Sequence, residues 1–191
     1  MTSFYLASAS PRRRQLLEQL GLRFEVAVAG VDESLRPGEA AQDYVSRVAE
    51  AKARAVVQRL GSPALPVLAA DTAVVLDGTI LGKPKDRVDG IAMLGRLAGR
   101  SHQVLSAVAL WHAGRVRMAL NQNLVRFRSI AAEEATAYWD SGEPADKAGG
   151  YGIQGLGGVF VASLDGSYSG VMGLPLFETA ALLKEAGIDV L

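Results

Sequence analysis

The segment Val67-Leu68-Ala69-Ala70-Asp71-Thr72-Ala73-Val74-Val75-Leu76 constrains the fold most. It is short, almost wholly apolar and rich in β-branched residues, so it reads as a strand rather than a helix. Asp77-Gly78 follows at once, and that pair favours a two-residue turn with both central residues at positive φ. Thr79-Ile80-Leu81 must then return antiparallel to the first strand. Further strands are expected at Phe4 to Ala7, Phe24 to Val28, Val104 to Trp111, Val116 to Phe127 and Val159 to Leu164. A second Asp-Gly pair, Asp165-Gly166, predicts another hairpin, with Tyr168 to Met172 as its return strand. Helical periodicity and stop signals place helices at Pro11 to Leu20, about Ala40 to Leu60, Asp86 to Leu97, Glu133 to Trp139 and Leu176 to Ala186. Helices alternating with strands imply α/β architecture, and the hairpins require antiparallel pairs, so the sheet is mixed.

Asp71 is the residue that does not belong in its strand. A carboxylate among apolar neighbours is costly unless it is paired, binds a metal or faces a cleft. Burial also raises a carboxyl pKa toward the range useful for a base. Bonding to backbone at a bulge or strand end is the alternative. Lys52 breaks its helix in the same way. Val45, Val48 and Val56 share its face at 3.6 residues per turn, so Lys52 lies on the apolar stripe. It points to a cleft or snorkels past the core edge; both readings are open.

Ser8-Ala9-Ser10-Pro11-Arg12-Arg13-Arg14 reads as a helix start with three cations in its first turn. Ser10 suits the N-cap and Pro11 the first helical position. The positive end of a helix dipole disfavours such cations by roughly 0.3–1 kcal/mol each. The arrangement becomes favourable when a polyanion docks on the free N–H groups, which makes residues 8–14 a candidate phosphate cradle. A solvated basic helix start is the other reading. Lys83, leaving the first hairpin, could add a cation, and Asp32-Glu33 could supply a metal-binding carboxylate. A solvated loop lysine and solvated adjacent acids are the plain alternatives. Residues 149–158 contain six glycines and are mostly loop. Such a loop allows close backbone approach to a ligand, and Gln154 within it carries both donor and acceptor, as reading a base edge requires.

Composition limits the alternatives. Lys+Arg 20 balances Asp+Glu 20, so no global basic surface suggests nucleic acid. The absence of cysteine excludes disulfides, cysteine nucleophiles and thiolate metal sites, and fits a reducing cytoplasm. His102 and His112 lack zinc-ligand spacing, and His102 is expected to be a structural hydrogen-bonding group. No stretch of about 20 apolar residues suggests a membrane span. The 191 residues carry no repeat or low-complexity linker, and a single two-lobed domain over 1–191 is expected. Taken together the residues point to a nucleotide-binding, metal-assisted phosphate hydrolase, with Glu33 and Asp71 as the oxygen ligands.

Three motifs carry a resemblance to a known family. LASASPRRRQLL at 6–17, AADTAVVLDGTILGKPKD at 69–86 and DKAGGYGIQGLGG at 146–158 resemble the Maf proteins, in order and spacing, over nearly the whole chain. The resemblance implies an α/β fold with an elongated mixed sheet flanked by helices and two lobes around a cleft, similar to the inosine-triphosphate pyrophosphatases. It implies a nucleoside triphosphate pyrophosphatase that cleaves between the α and β phosphates, with Mg²⁺ or Mn²⁺, in cytoplasmic house-cleaning of the nucleotide pool. It also implies a homodimer and a link to septum formation and division arrest. By the same resemblance Asp71 is the catalytic base, and Glu33, Lys52 and Lys83 are the other polar residues of the catalytic site. Ser8, Ser10, Arg12 and Arg13 would contact the substrate phosphates. Arg12, Thr72 and Gln154 resemble the dTTP/UTP subfamily rather than the one selective for 7-methyl-GTP. Modified pyrimidine triphosphates fall within the same expectation. A non-catalytic regulator of division is the rival reading, disfavoured by retention of Asp71, Glu33, Lys52 and Lys83. Arg14 and Gly150 are small departures from the family pattern.

Overall fold

The structure is a computed structural model that describes residues 2–191. A seven-stranded mixed sheet organises the described chain. It comprises β1 (Phe4–Leu6), β2 (Phe24–Val26), β3 (Val67–Leu76), β4 (Thr79–Leu81), β5 (Ser101–His112), β6 (Arg115–Phe127) and β7 (Val161–Asp165). The order is β2-β1-β3-β5-β6-β7, with β4 paired to β3 off this path. β1 pairs parallel with β2, Phe4 opposite Phe24, and parallel with β3, Tyr5 opposite Val67. β3 and β4 pair antiparallel, with Val74 opposite Leu81. Asp77 and Gly78 sit at φ 49° and 76°, the positive pair expected of their turn. Ala113 and Gly114 make the same kind of turn between β5 and β6. The expected mixed α/β sheet is therefore present.

The helices are α1 (Pro11–Gln19), α2 (Ala41–Arg59), α3 (Arg87–Leu97), α4 (Ala132–Asp140), α5 (Tyr168–Met172) and α6 (Leu176–Glu185). None among the described residues is long and apolar enough to cross a membrane. The expected return strand at Tyr168 to Met172 is corrected to the short helix α5. Ser167 is the physical reason. Its hydroxyl accepts the Gly170 N–H at 3.1 Å and its carbonyl accepts the Val171 N–H at 3.0 Å, which starts a helix rather than a strand. The Asn123 side-chain oxygen fixes the entry by accepting the Ser167 N–H at 2.6 Å.

The chain divides into two compact units, and β3, β5 and β6 contribute residues to both. The first unit holds the chain up to Asp71, then 106–121 and 173–191. Its interior includes Phe4, Leu6, Leu17, Val45, Val48, Val56, Leu68 and Leu183, all with no exposed surface. The second unit holds 72–105 and 122–172. It is built around Val74, Leu76, Leu94, Leu97, Phe127 and Phe160.

Candidate active site

Within the first unit, a strand residue, a helix residue and a loop residue assemble one charged cluster. Asp71, the residue that interrupts the apolar β3, is buried with its side chain 9% exposed. Lys52 projects from the apolar face of α2, where Val45, Val48, Ala49, Ala53 and Val56 are buried, and its side chain is only 16% exposed. Its Nζ donates to Asp71 Oδ1 at 2.8 Å. The same Nζ lies 3.0 Å from Glu33 Oε1. The two sequence anomalies thus resolve into one ion pair: each buried charge is the other's partner.

Glu33 lies on the stretch before α2 and is half exposed. The stretch is held in shape from α2. The Tyr44 hydroxyl donates to the Glu33 carbonyl at 3.1 Å, and Arg47 Nη2 donates to the Ser34 carbonyl at 2.9 Å. Arg47 also grips the Glu39 carboxylate through Nε at 2.6 Å and Nη2 at 2.8 Å, a pairing that pulls Glu39 down to about 2. Asp32 accepts the Ser34 N–H at 2.9 Å and closes the local turn.

The basic helix start forms a second group in the same unit. Ser10 is the N-cap of α1, its hydroxyl accepting the Arg13 N–H at 3.5 Å, and Pro11 begins the helix. No acidic residue occupies the first turn, where the helix dipole disfavours cations. Arg13 turns back over the helix start. Its Nε donates to the Gly173 carbonyl at 2.7 Å and its Nη1 to Ser8 Oγ at 3.2 Å. Ser8 Oγ also accepts the Ser10 N–H at 3.2 Å. Arg12 is half-buried beside Arg13 and Arg14 is exposed.

Electrostatics join the two groups. Burial pushes the Asp71 carboxyl above the ordinary carboxylate range, with Glu33 adding to the rise, while Lys52 and then Arg13 pull it back. Burial pulls the Arg13 guanidinium down, its neighbour Arg12 adds to that, and Asp71 and Glu33 oppose it. Asp71 therefore stays more basic than an exposed aspartate without losing its cationic partners. A carboxylate of that kind suits proton transfer.

No group of three or more His, Asp and Glu side chains suited to a metal occurs among the described residues. Magnesium, however, is commonly held by one or two carboxylates, with waters and substrate phosphates completing its shell. Asp71 and Glu33, converging on one ammonium, are an all-oxygen pair of that type, so the residues present fit a hard divalent cation.

The remaining expected site residues belong to the second unit. Thr72 follows Asp71 on β3 and is half-buried. Lys83 is exposed just beyond β4, and its turn is tied to the glycine-rich segment by the Gly149 N–H, which donates to the Gly82 carbonyl at 2.9 Å. Gln154 is exposed within that segment. The segment is not a plain loop: short 3₁₀ turns occupy Ala148–Gly150 and Leu156–Phe160. Tyr151 anchors it inward, its hydroxyl 2.8 Å from His102 Nε2. Burial pulls His102 down to about 4, so the imidazole is neutral, and burial pushes the Tyr151 phenol up. His102 is structural, as expected.

Sequence reasoning missed Tyr138 and Glu143. Glu143 lies 3₁₀-turned in Glu143–Asp146 after α4, and its carboxylate accepts from the Tyr138 hydroxyl and from backbone N–H groups of the glycine-rich segment. Gly142-Glu143-Pro144 carries no motif or periodicity that singles Glu143 out. The only available signal was a segment whose many N–H groups needed an acceptor.

Comparison with known proteins agrees with the motifs. The Maf-like protein family matches residues 3–186. A dTTP/UTP pyrophosphatase of Bordetella parapertussis is 56% identical, covering 97% of this chain and 93% of that protein. One of Methylococcus capsulatus is 57% identical, covering 96% and 90%. The structure of the Staphylococcus aureus Ham1 protein matches with a TM-score of 0.46 and 15% identity, over 65% of this chain and 71% of that one.

Proposed function

This chain belongs to the Maf family, and from that premise we propose that it is a metal-assisted pyrophosphatase of dTTP and UTP. Modified pyrimidine triphosphates fall in the same substrate class. The observation that carries the reading is Asp71: a buried carboxylate, made more basic than usual by burial, and fixed by Lys52 on its Oδ1. The names of the relatives support the substrate, and the residue types Arg12, Thr72 and Gln154 support the pyrimidine preference.

In the proposed mechanism Asp71 takes a proton from a water molecule as the water oxygen bonds to the α-phosphorus. The bond from that phosphorus to the α–β bridging oxygen breaks, and the electron pair leaves with pyrophosphate. Lys52 holds the Asp71 carboxylate in place, and its charge keeps that carboxylate ionised despite burial. Arg12, Arg13, Ser8, Ser10 and Lys83 bind the phosphate oxygens and offset the charge that develops on them. Glu33 and Asp71 would hold a divalent cation, which when bound supplies Lewis-acid stabilisation of the phosphate oxygens. Gln154 pairs with the donor and acceptor edge of uracil or thymine. Nucleotide-pool cleaning in the cytoplasm, a homodimer and an effect on cell division accompany this reading as expectations from the family.

The test is pyrophosphate release from dTTP, UTP, CTP, GTP and 7-methyl-GTP, with Mg²⁺, with Mn²⁺ and with chelator. Turnover of dTTP and UTP that stops on chelation is expected. Asp71→Asn should stop turnover while UTP still binds. Near-native turnover by Asp71→Asn, or turnover of 7-methyl-GTP alone, would remove the base assignment or the pyrimidine assignment respectively.

A further inference from the structure

The glycine-rich segment is tied to the core by Tyr151, but its glycines leave few side chains to fix the residues around Gln154. Six of its ten residues from 149 to 158 are glycine, the residue with the most conformational freedom to lose. A side chain that reads a base must nevertheless be fixed to within a fraction of an ångström, because hydrogen bonds weaken steeply with distance and angle. Two residues outside the segment supply what it lacks. The Tyr138 hydroxyl, at the end of α4, accepts the Gly152 N–H at 3.0 Å and donates to Glu143 Oε1 at 2.7 Å. Glu143 Oε1 also accepts the Gly157 N–H at 3.0 Å, and Oε2 accepts the Leu156 N–H at 2.8 Å. Gly152 on one side and Leu156 on the other are therefore pinned by a single Tyr-Glu pair. Only Ile153, Gln154 and Gly155 lie between the pins.

The fit is close. A Cβ added at Gly155 would come within 2.2 Å of Glu143 Oε2, and one at Gly157 within 2.5 Å of the Tyr138 hydroxyl. The glycines there make room for the two anchors to reach the backbone. Tyr138 is held in turn by edge-on contact with Phe160, ring centroids 5.1 Å apart. Lys147 secures the other end of the Glu143 turn, its Nζ donating to the Glu143 carbonyl at 2.6 Å. Burial works against the Glu143 charge, but the Tyr138 hydroxyl and the two N–H groups outweigh it and hold this carboxyl below its ordinary value. It is an anion across the working pH range.

We propose that Glu143, with Tyr138, is a positioning residue for nucleobase selection: its carboxylate clamps the backbone on both sides of Gln154 and so sets where that amide meets the base. The inference rests on Gln154 being the base reader. It assigns no chemistry to Glu143, which acts only through the segment it holds.

Glu143→Gln keeps the size but replaces one acceptor oxygen with an NH₂ group that meets a backbone N–H, donor against donor. The measurements are KM and kcat for UTP and CTP, and inhibition by inorganic tripolyphosphate, which has phosphates but no base. The expected result is a rise in the UTP KM of about tenfold, the equivalent of about 1.4 kcal/mol. The UTP preference over CTP should narrow, kcat should stay within about threefold, and tripolyphosphate should inhibit as in the parent. Tyr138→Phe, which removes one hydroxyl and keeps the ring, should give a smaller change in the same direction. It also provides the test should Glu143→Gln fail to fold. Equal losses for UTP binding and tripolyphosphate inhibition, or an unchanged UTP preference in folded variants, would overturn the proposal. Gln154→Ala separates the two claims. If it abolishes the preference while Glu143→Gln preserves it, only the Glu143 assignment fails. If Gln154→Ala itself leaves the preference intact, the base-reading role fails and the positioning role with it.

Discussion

Lys52→Met should expose how much the buried cation does for Asp71. Lys52 Nζ lies 2.8 Å from Asp71 Oδ1 and 3.0 Å from Glu33 Oε1. Glu33 is half exposed, so losing its share costs well under about 1 kcal/mol. Asp71 is different: stranding one member of a buried pair costs about 3–5 kcal/mol while it remains charged. Arg13 still acts on Asp71 and places the expectation near the low end, about 3 kcal/mol. In a chain of this length about 1 kcal/mol moves the melting temperature by about 2–4 °C, so a fall of roughly 6–12 °C is expected at pH 8. The pH dependence carries the diagnosis. Burial raises the folded-state pKa of Asp71 above its unfolded value, and removing Lys52 takes away the largest opposing influence. A carboxyl raised on folding contributes stability that is complete below the unfolded value, about 3.9, and is lost as pH rises through the folded one. The gap between parent and Lys52→Met should therefore be small near pH 4–5 and widen toward pH 8. Adding Asp71→Asn removes the stranded charge and should recover most of the loss at pH 8. Melts at both pH values on the parent, both single variants and the double variant decide it. A gap independent of pH, or a double variant no more stable than Lys52→Met, would refute the view that Lys52 compensates a buried carboxylate.

Two other substitutions test separate parts of the structure. Gly149 adopts φ 69°, and a Cβ there would sit 2.8 Å from a Val74 methyl. Gly149→Ala combines backbone strain with overpacking, about 2–5 kcal/mol in all, and should lower the melting temperature by at least about 5 °C; a shift under about 2 °C would count against the close approach. Gln154→Glu replaces a donor-acceptor amide with acceptors alone, and kcat/KM for UTP should fall about tenfold or more relative to a purine triphosphate. An unchanged substrate profile would mean that another residue reads the base.

The sequence disclosed residues that break their own periodicity. Asp71 and Lys52 stood out because each put a charge on an apolar face, and burial without a partner is costly. The structure pairs those two with each other. The β3–β4 turn was equally legible, since Asp77-Gly78 admits few conformations. Tyr168 to Met172 was misread because the preceding Asp-Gly suggested a hairpin; the competing signal was Ser167, a helix cap one residue later. Glu143 was not legible from its own stretch of sequence. Its partners Leu156 and Gly157 lie 13 and 14 residues away, and no local pattern records which acceptor a glycine-rich backbone will find. Register was hidden for the same reason: Phe4 opposite Phe24 follows from three-dimensional pairing, not from either strand alone.

The two kinds of residue are held by two different means, and this bears on what can change independently. Asp71 sits on a long, mostly buried strand, and its partner Lys52 sits on a long helix. Moving either would disturb packed core, so the geometry around Asp71 is fixed by the same burial that stabilises the unit. Gln154 sits on a segment that Tyr151 ties to the core, but the residues on either side of it are held by hydrogen bonds to Tyr138 and Glu143. Each such bond contributes only about 1 kcal/mol net, more where a charge is involved. The stretch around Gln154 is thus adjustable by single substitutions that leave the Asp71–Lys52 pair untouched. Under the roles proposed above, that separation puts the proton transfer on rigid secondary structure and the choice of nucleotide on a clamped, glycine-rich segment.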